Sequence, residues 1–310
     1  MTMFNRQSKF DTRYAGAIAR DSMAVALISR ELPRTGANQL MSEQKQSQPN
    51  RSCYDDASWP VMICLLGNFR LLVAGELVPI RAGGKSEALL SLLALQSSRR
   101  VAREYLVQAL WPESTQTLGL RSLNTLVYRL HKLLGSSLQG IAPILHEDGY
   151  YRLNMQAGIG VDVACFDLLV AEGDHQARAG DVAAALTAYQ QAAALYRDEL
   201  RLAVGVNTIM ERERLRARFV TLLAEVAELL YRAGEYSTAL EYLWRLLTRD
   251  PYREDAHRLM MRCYVRRGER AAALHQYQVC ADLLRVEFEI TPEAATIALY
   301  QRILHDPDQM

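Results

Sequence analysis

Long apolar runs are missing from this chain of 310 residues. No segment approaches the ~18 uninterrupted apolar residues of a membrane span, so no membrane-spanning helix is expected. Met1–Arg20 scatters its charges and lacks a compact apolar segment, so a secretory signal is not expected either. Cysteine is scarce and odd in number: Cys53, Cys64, Cys165, Cys263 and Cys280, with no C-x-x-C pair. That spacing supports no disulfide framework, and the expectation is buried thiols in a reduced, cytoplasmic protein.

Signatures of catalysis are missing as well. Gly84-Lys85-Ser86 ends like a P-loop, but the first glycine of G-x-x-x-x-G-K-[ST] would fall on Pro79, and the backbone cradle for phosphates is lost. His146-Glu147 opens like H-E-x-x-H, but Tyr150 stands where the second histidine belongs. His131, His175, His257, His275 and His305 are scattered, with no thiol or carboxylate at ligand spacing. No Gly-x-Ser-x-Gly, His/Cys nucleophile pair or dinucleotide fingerprint occurs. The expectation is a protein that is not an enzyme and needs neither metal nor cofactor.

What is there is ordinary globular composition, half apolar and 23% charged, which argues against wholesale disorder. The length leaves room for two domains. The net charge of +1 conceals a gradient: residues 1–58 carry +2, residues 59–155 carry +4 and residues 156–310 carry −5. An anionic partner would meet the middle segment.

Residues 1–58 read as a disordered or extended tail, dispensable for folding. A single apolar patch, Met23–Ile28, precedes the polar stretch Ser42–Asn50. From Trp59 the character changes. Val61–Leu66, Phe69–Val73 and Glu76–Ile80 are short, β-prone and separated by turn residues, as in an antiparallel meander. Helices are predicted over Lys85–Gln96, Arg103–Trp111 and Thr117–Leu134, the last capped by Gly135. Two β-like runs then flank Asp148-Gly149, a strong hairpin signal. Strands, three helices and a hairpin are the order of a winged helix, placed at residues 59–155.

The remainder, residues 160–305, is predicted to be helical and repetitive. Ala179-Gly180-Asp181 with Ala185-Leu186 recurs as Ala233-Gly234-Glu235 with Ala239-Leu240, and again as Arg267-Gly268-Glu269 with Ala273-Leu274. Gly234 and Gly268 are one tetratricopeptide period apart, about 34 residues. The longer step from Gly180 to Gly234 predicts an insertion of about one helix. The fold class expected is therefore mainly α with a small β component: a winged helix-turn-helix domain followed by an α-helical tetratricopeptide-like repeat domain.

The third helix carries the candidate site. On a helical projection Arg121, Asn124, Thr125, Tyr128, Arg129 and Lys132 fall within roughly 80° of Arg121. Leu123, Val127, Leu130 and Leu134 take the other side. The first face is cationic, amide-bearing and free of carboxylates. Cations neutralise phosphates, and Arg, Asn and hydroxyl groups read base edges in a major groove. Tyr150 and Arg152 on the hairpin are candidates for further phosphate or minor-groove contact.

These features resemble the Streptomyces antibiotic regulatory protein (SARP) family, an OmpR-like winged helix followed by a bacterial transcriptional activator domain. The resemblance covers about residues 60–305. It rests on Leu65-Leu66-Gly67 with Phe69-Arg70-Leu71, Ala109-Leu110-Trp111, Val127–Leu134, Gly149–Leu153, Val161-Asp162-Val163 with Phe166, Asp250–Glu254 and Leu299–Leu304. The sequence departs from the family pattern at Ala102 (a usual Ser or Thr cap), Leu118-Gly119-Leu120, Tyr128, His131 and Glu289 (a frequent Gly). The resemblance implies a sequence-specific activator that binds repeated promoter sites in double-stranded DNA, self-associates there and recruits RNA polymerase. The alternative is a tetratricopeptide adaptor whose winged helix binds protein. A fragment ending near Asn154 is expected to keep weak DNA binding.

Overall fold

The computed structural model describes residues 59–97, 99–201 and 205–305. The expected tail at residues 1–58, with Cys53, lies outside the described residues. The chain is mainly α with a small β component, a winged helix-turn-helix followed by helical repeats.

The meander forms as the alternation predicts. β1 (Val61–Cys64), β2 (Arg70–Val73) and β3 (Glu76–Val78) pair antiparallel, with Val61 opposite Val73 and Val73 opposite Glu76. Three helices follow: α1 (Lys85–Leu95), α2 (Arg103–Leu110) and α3 (Gln116–Leu134). Leu89 through Ala94, Ser91 included, are all buried, so α1 is the central helix, with other elements surrounding it. β5 (Ile144–Glu147) and β6 (Tyr150–Leu153) make the hairpin, with β4 (Val101–Ala102) added to the edge of β6. Asp148 and Gly149 both have positive φ (51° and 82°), the requirement of a two-residue type I′ turn.

A strand not expected from the sequence completes the first sheet. β7 (Ile159–Val161) pairs parallel with β1, in the order β3-β2-β1-β7. The next helix, α4 (Asp162–Ala179), begins at once. Asp162 turns its carboxylate back onto the end of β1, accepting from the Leu65 amide at 2.8 Å and the Leu66 amide at 2.8 Å. Cys165 from the same turn is buried against Met62, Cys64 and Leu72. The first sheet is thus built from both sides of the boundary expected between residues 155 and 160. One apolar core continues from β1 into the helical repeats.

The repeats are α4 with α5 (Val182–Leu195), α6 (Gly205–Arg232) with α7 (Tyr236–Arg249), and α8 (Glu254–Arg266) with α9 (Arg270–Phe288). α10 (Ala294–His305) follows them. Gly180, Gly234 and Gly268 have φ of 84°, 83° and 77°, and an added Cβ would meet nothing within 4 Å at any of them. Glycine is needed there for the left-handed turn, not for space. Five residues beyond each turn, Ala185, Ala239 and Ala273 are fully buried, where the two helices of a unit pack. The inserted helix expected between the first two units is not found among the described residues. The extra length lies instead in the 28-residue α6 and the connection before it. Glu289, at φ 59°, takes the left-handed cap of α9 where a glycine would be unstrained.

Candidate nucleic-acid interface

α3 sorts its residues as its periodicity demands. Leu123, Leu126, Leu130 and Leu134 are buried, while Arg121, Asn124, Thr125, Tyr128, Arg129 and Lys132 are all exposed, Tyr128 by 69%. The six therefore share one solvent-facing strip along about three turns. α3 contains no carboxylate. Among the described residues, no Asp or Glu oxygen lies within ion-pair distance of Arg121, Arg129 or Lys132. Arginines elsewhere are commonly engaged: Arg214 holds Asp167 and Glu211, Arg218 holds Asp174, and Arg258 holds Glu293. Unneutralised cations on one helix face are the arrangement that releases counterions when a polyanion binds. The Thr125 hydroxyl donates to the Arg121 carbonyl at 2.9 Å, leaving its lone pairs to accept outward.

The hairpin is organised differently. Tyr151 and Leu153 turn into the core, whereas Tyr150 and Arg152 project from the opposite face, beside Leu145, Glu147 and Arg100. Glu147 lies 3.8 Å from Arg152 and 3.4 Å from Arg100. With Asp148 at the turn, the hairpin offsets its own cations. The structure thus gathers the six α3 candidates in one strip and leaves Tyr150 and Arg152 apart from them, on a face whose charge is largely neutralised.

Two contacts that sequence reasoning did not single out fix α3 against this hairpin. The half-buried His131 ring places Nε2 3.0 Å from the Ile144 carbonyl oxygen. The buried Tyr151 hydroxyl donates to Asn124 Oδ1 at 3.0 Å, and the Tyr151 ring stacks on His146 with centroids 4.3 Å apart. Burial pushes the Tyr151 hydroxyl above its ordinary pKa, so it remains a donor. The weak cap at Ala102 is also compensated, since the Arg103 amide donates to the Gly149 carbonyl at 3.0 Å.

Residues 161–304 match the family model of the bacterial transcriptional activator domain. The Streptomyces griseus regulatory protein AfsR is 28% identical over 247 residues, covering 79% of this chain and 25% of AfsR. The Mycobacterium tuberculosis transcriptional regulatory protein MoaR1 is 26% identical over 249 residues, 79% of each chain. The solved structure of M. tuberculosis EmbR in complex with a low-affinity phosphopeptide superposes with a TM-score of 0.63 at 25% identity, covering 79% of this chain and 65% of that one. Residues 161–304 thus carry a bacterial transcriptional activator domain, and the chain is similar to regulators of the SARP type. It spans a quarter of AfsR and about two thirds of EmbR.

One departure from the SARP pattern has a packing reason. Gly119 is buried in the first turns of α3, and a Cβ there would stand 2.3 Å from Val107 Cγ1 and 3.0 Å from Ser114 Oγ. The glycine lets α3 cross α2 at close range. Leu118 beside it remains 56% exposed. Gly119→Ala is expected to destabilise by about 1–2 kcal/mol, overpacking outweighing the better helix propensity of alanine. Thermal melting checks this, and an unchanged or raised Tm would show that α2 and α3 can separate freely.

Proposed function

We propose that this protein is a sequence-specific DNA-binding transcriptional activator. α3 enters the major groove of promoter DNA, and the helical domain activates through protein contacts, RNA polymerase and a second copy of the chain among them. The observation that carries this reading is the carboxylate-free strip of α3, whose three cations meet no carboxylate among the described residues, in a chain that carries a bacterial transcriptional activator domain. The charge gradient supports the division of labour: residues 156–310 carry net −5 and are repelled by a phosphate backbone, while stacked helix pairs suit protein partners. A winged helix covers few base pairs, so specificity at physiological salt calls for two copies on neighbouring sites. A cytoplasmic, non-enzymatic role without cofactor accords with relatives named as regulators and with buried Cys64, Cys165, Cys263 and Cys280.

A gel shift over a salt series on the DNA upstream of the protein's own gene tests the proposal. Arg129→Ala and Lys132→Ala are each expected to weaken specific and non-specific binding alike, and to flatten the log–log salt slope by about one. Tyr150→Ala and Arg152→Ala are expected to change it less. A wild-type chain whose binding is absent or insensitive to salt would point to the protein-binding alternative.

A further inference from the structure

Base recognition by α3 depends on which edge of the Asn124 amide faces outward, and a residue buried in the hairpin controls that edge. A free asparagine presents both a carbonyl acceptor and an amino donor, and so can grip adenine through N6 and N7 together. Here one of the carbonyl's two lone pairs is engaged from the protein side, which ties the orientation of the amide. Tyr151 is 2% exposed, and its hydroxyl, 3.0 Å from Asn124 Oδ1, reaches no other partner among the described residues. The ring cannot swing away, because it stacks on His146 at 4.3 Å with planes 12° apart and sits in the sheet between β4 and β5. With Oδ1 held by Tyr151, the Nδ2 donor of the exposed Asn124 is the part of the amide left for a partner outside the protein.

We infer that Tyr151 is a positioning residue for base specificity, holding Asn124 as a hydrogen-bond donor so that it selects a base edge offering acceptors, guanine or thymine, over cytosine, and forgoes the paired N6 and N7 grip that would favour adenine. The inference rests on the DNA-binding reading above and deepens it. It assigns a reading function to a hydroxyl that touches no DNA. It also separates Asn124 from Arg129 and Lys132, whose charge acts on phosphates whatever the sequence.

Selection from a random duplex library with the full chain, followed by sequencing, tests it with wild type, Y151F and N124A. Phenylalanine keeps the stack on His146 and leaves no buried acceptor orphaned, since Asn124 is exposed. The wild type should enrich guanine or thymine at one position of each half-site. In Y151F the amide is free to turn, so adenine, gripped through N6 and N7 together, and cytosine, donating from N4, should each gain about fivefold there, the worth of one hydrogen bond. Salt slope and non-specific affinity should stay unchanged. N124A should lose the preference at the same position, and Y151F added to N124A should change nothing more. A Y151F motif identical to that of the wild type overturns the inference alone, as does a uniform loss of affinity with base preferences intact, which would make Tyr151 merely structural. A wild-type chain that enriches no sequence overturns both this inference and the DNA-binding reading.

Discussion

A fragment of residues 59–154 is expected to lose the cooperative thermal transition of the intact protein, and with it the weak DNA binding that the sequence alone suggests it should retain. Cutting there removes β7, so the parallel edge of β1 is bared along Val61, Met62 and Ile63, all fully buried in the whole chain. It removes Cys165 from over Met62 and Cys64. It also takes away the carboxylate of Asp162, leaving the buried amides of Leu65 and Leu66 without their acceptor. Re-exposing several core side chains costs about 1.5–3 kcal/mol each, which together equals the whole stability of a typical domain. Circular dichroism melting of the fragment checks this. A sharp transition near that of the intact chain would show that the winged helix closes its sheet without help from beyond residue 155.

Replacing Asp162 alone should have the next largest effect. Its carboxylate bonds two amides nearly a hundred residues away in sequence and sits at the start of α4, where a negative charge is favoured. Asp162→Ala leaves two buried donors unmatched, at about 1–3 kcal/mol each, partly offset by no longer burying a carboxylate. The net loss expected is about 2–4 kcal/mol, read by chemical denaturation. Asp162→Asn should lose less, because its carbonyl oxygen can still accept. Burial pushes the Asp162 pKa up to about 6, outweighing the pull of the Leu66, Leu65 and Val163 amides and the charge of Arg70. The unfolded chain therefore gives up this proton first as pH rises. The wild type's contribution from Asp162 should be greatest below about pH 4, decline towards pH 6 and be flat above it, a slope that Asp162→Asn should lack. An Asp162→Ala chain as stable as wild type would show that the sheet and α4 are joined by packing alone.

Both effects fall at a place where the sequence showed little. Ile159-Gly160-Val161 is three residues long and pairs in parallel with a strand nearly a hundred residues earlier, so neither alternation nor a turn signal marks it. Asp162 reads locally as an ordinary acidic first-turn residue, and its partners are visible only when β1 lies beside it. The tie between Tyr151 and Asn124 is hidden in the same way, since two residues from separate elements meet only once β6 is laid along α3. Arg152 looked available for phosphate because its neutralising partner, Glu147, reaches it diagonally across a hairpin rather than along a helix.

What the sequence determined by itself is whatever short-range physics dictates. The leucine spacing of α3 decided which face is buried, and so that the six candidate side chains meet solvent. Asp148-Gly149 decided the hairpin, because few residues other than these adopt two successive positive φ values. Gly180, Gly234 and Gly268 decided the repeat turns for the same reason. Tertiary structure decided the rest: that the first sheet borrows β7, that Asp162 locks it to the helical repeats, and that the Asn124 amide is bonded by a buried tyrosine. Each of these depends on hydrogen bonds between groups far apart along the chain. Such bonds form only after the apolar core has brought their elements together, and no pattern of neighbouring residues records them.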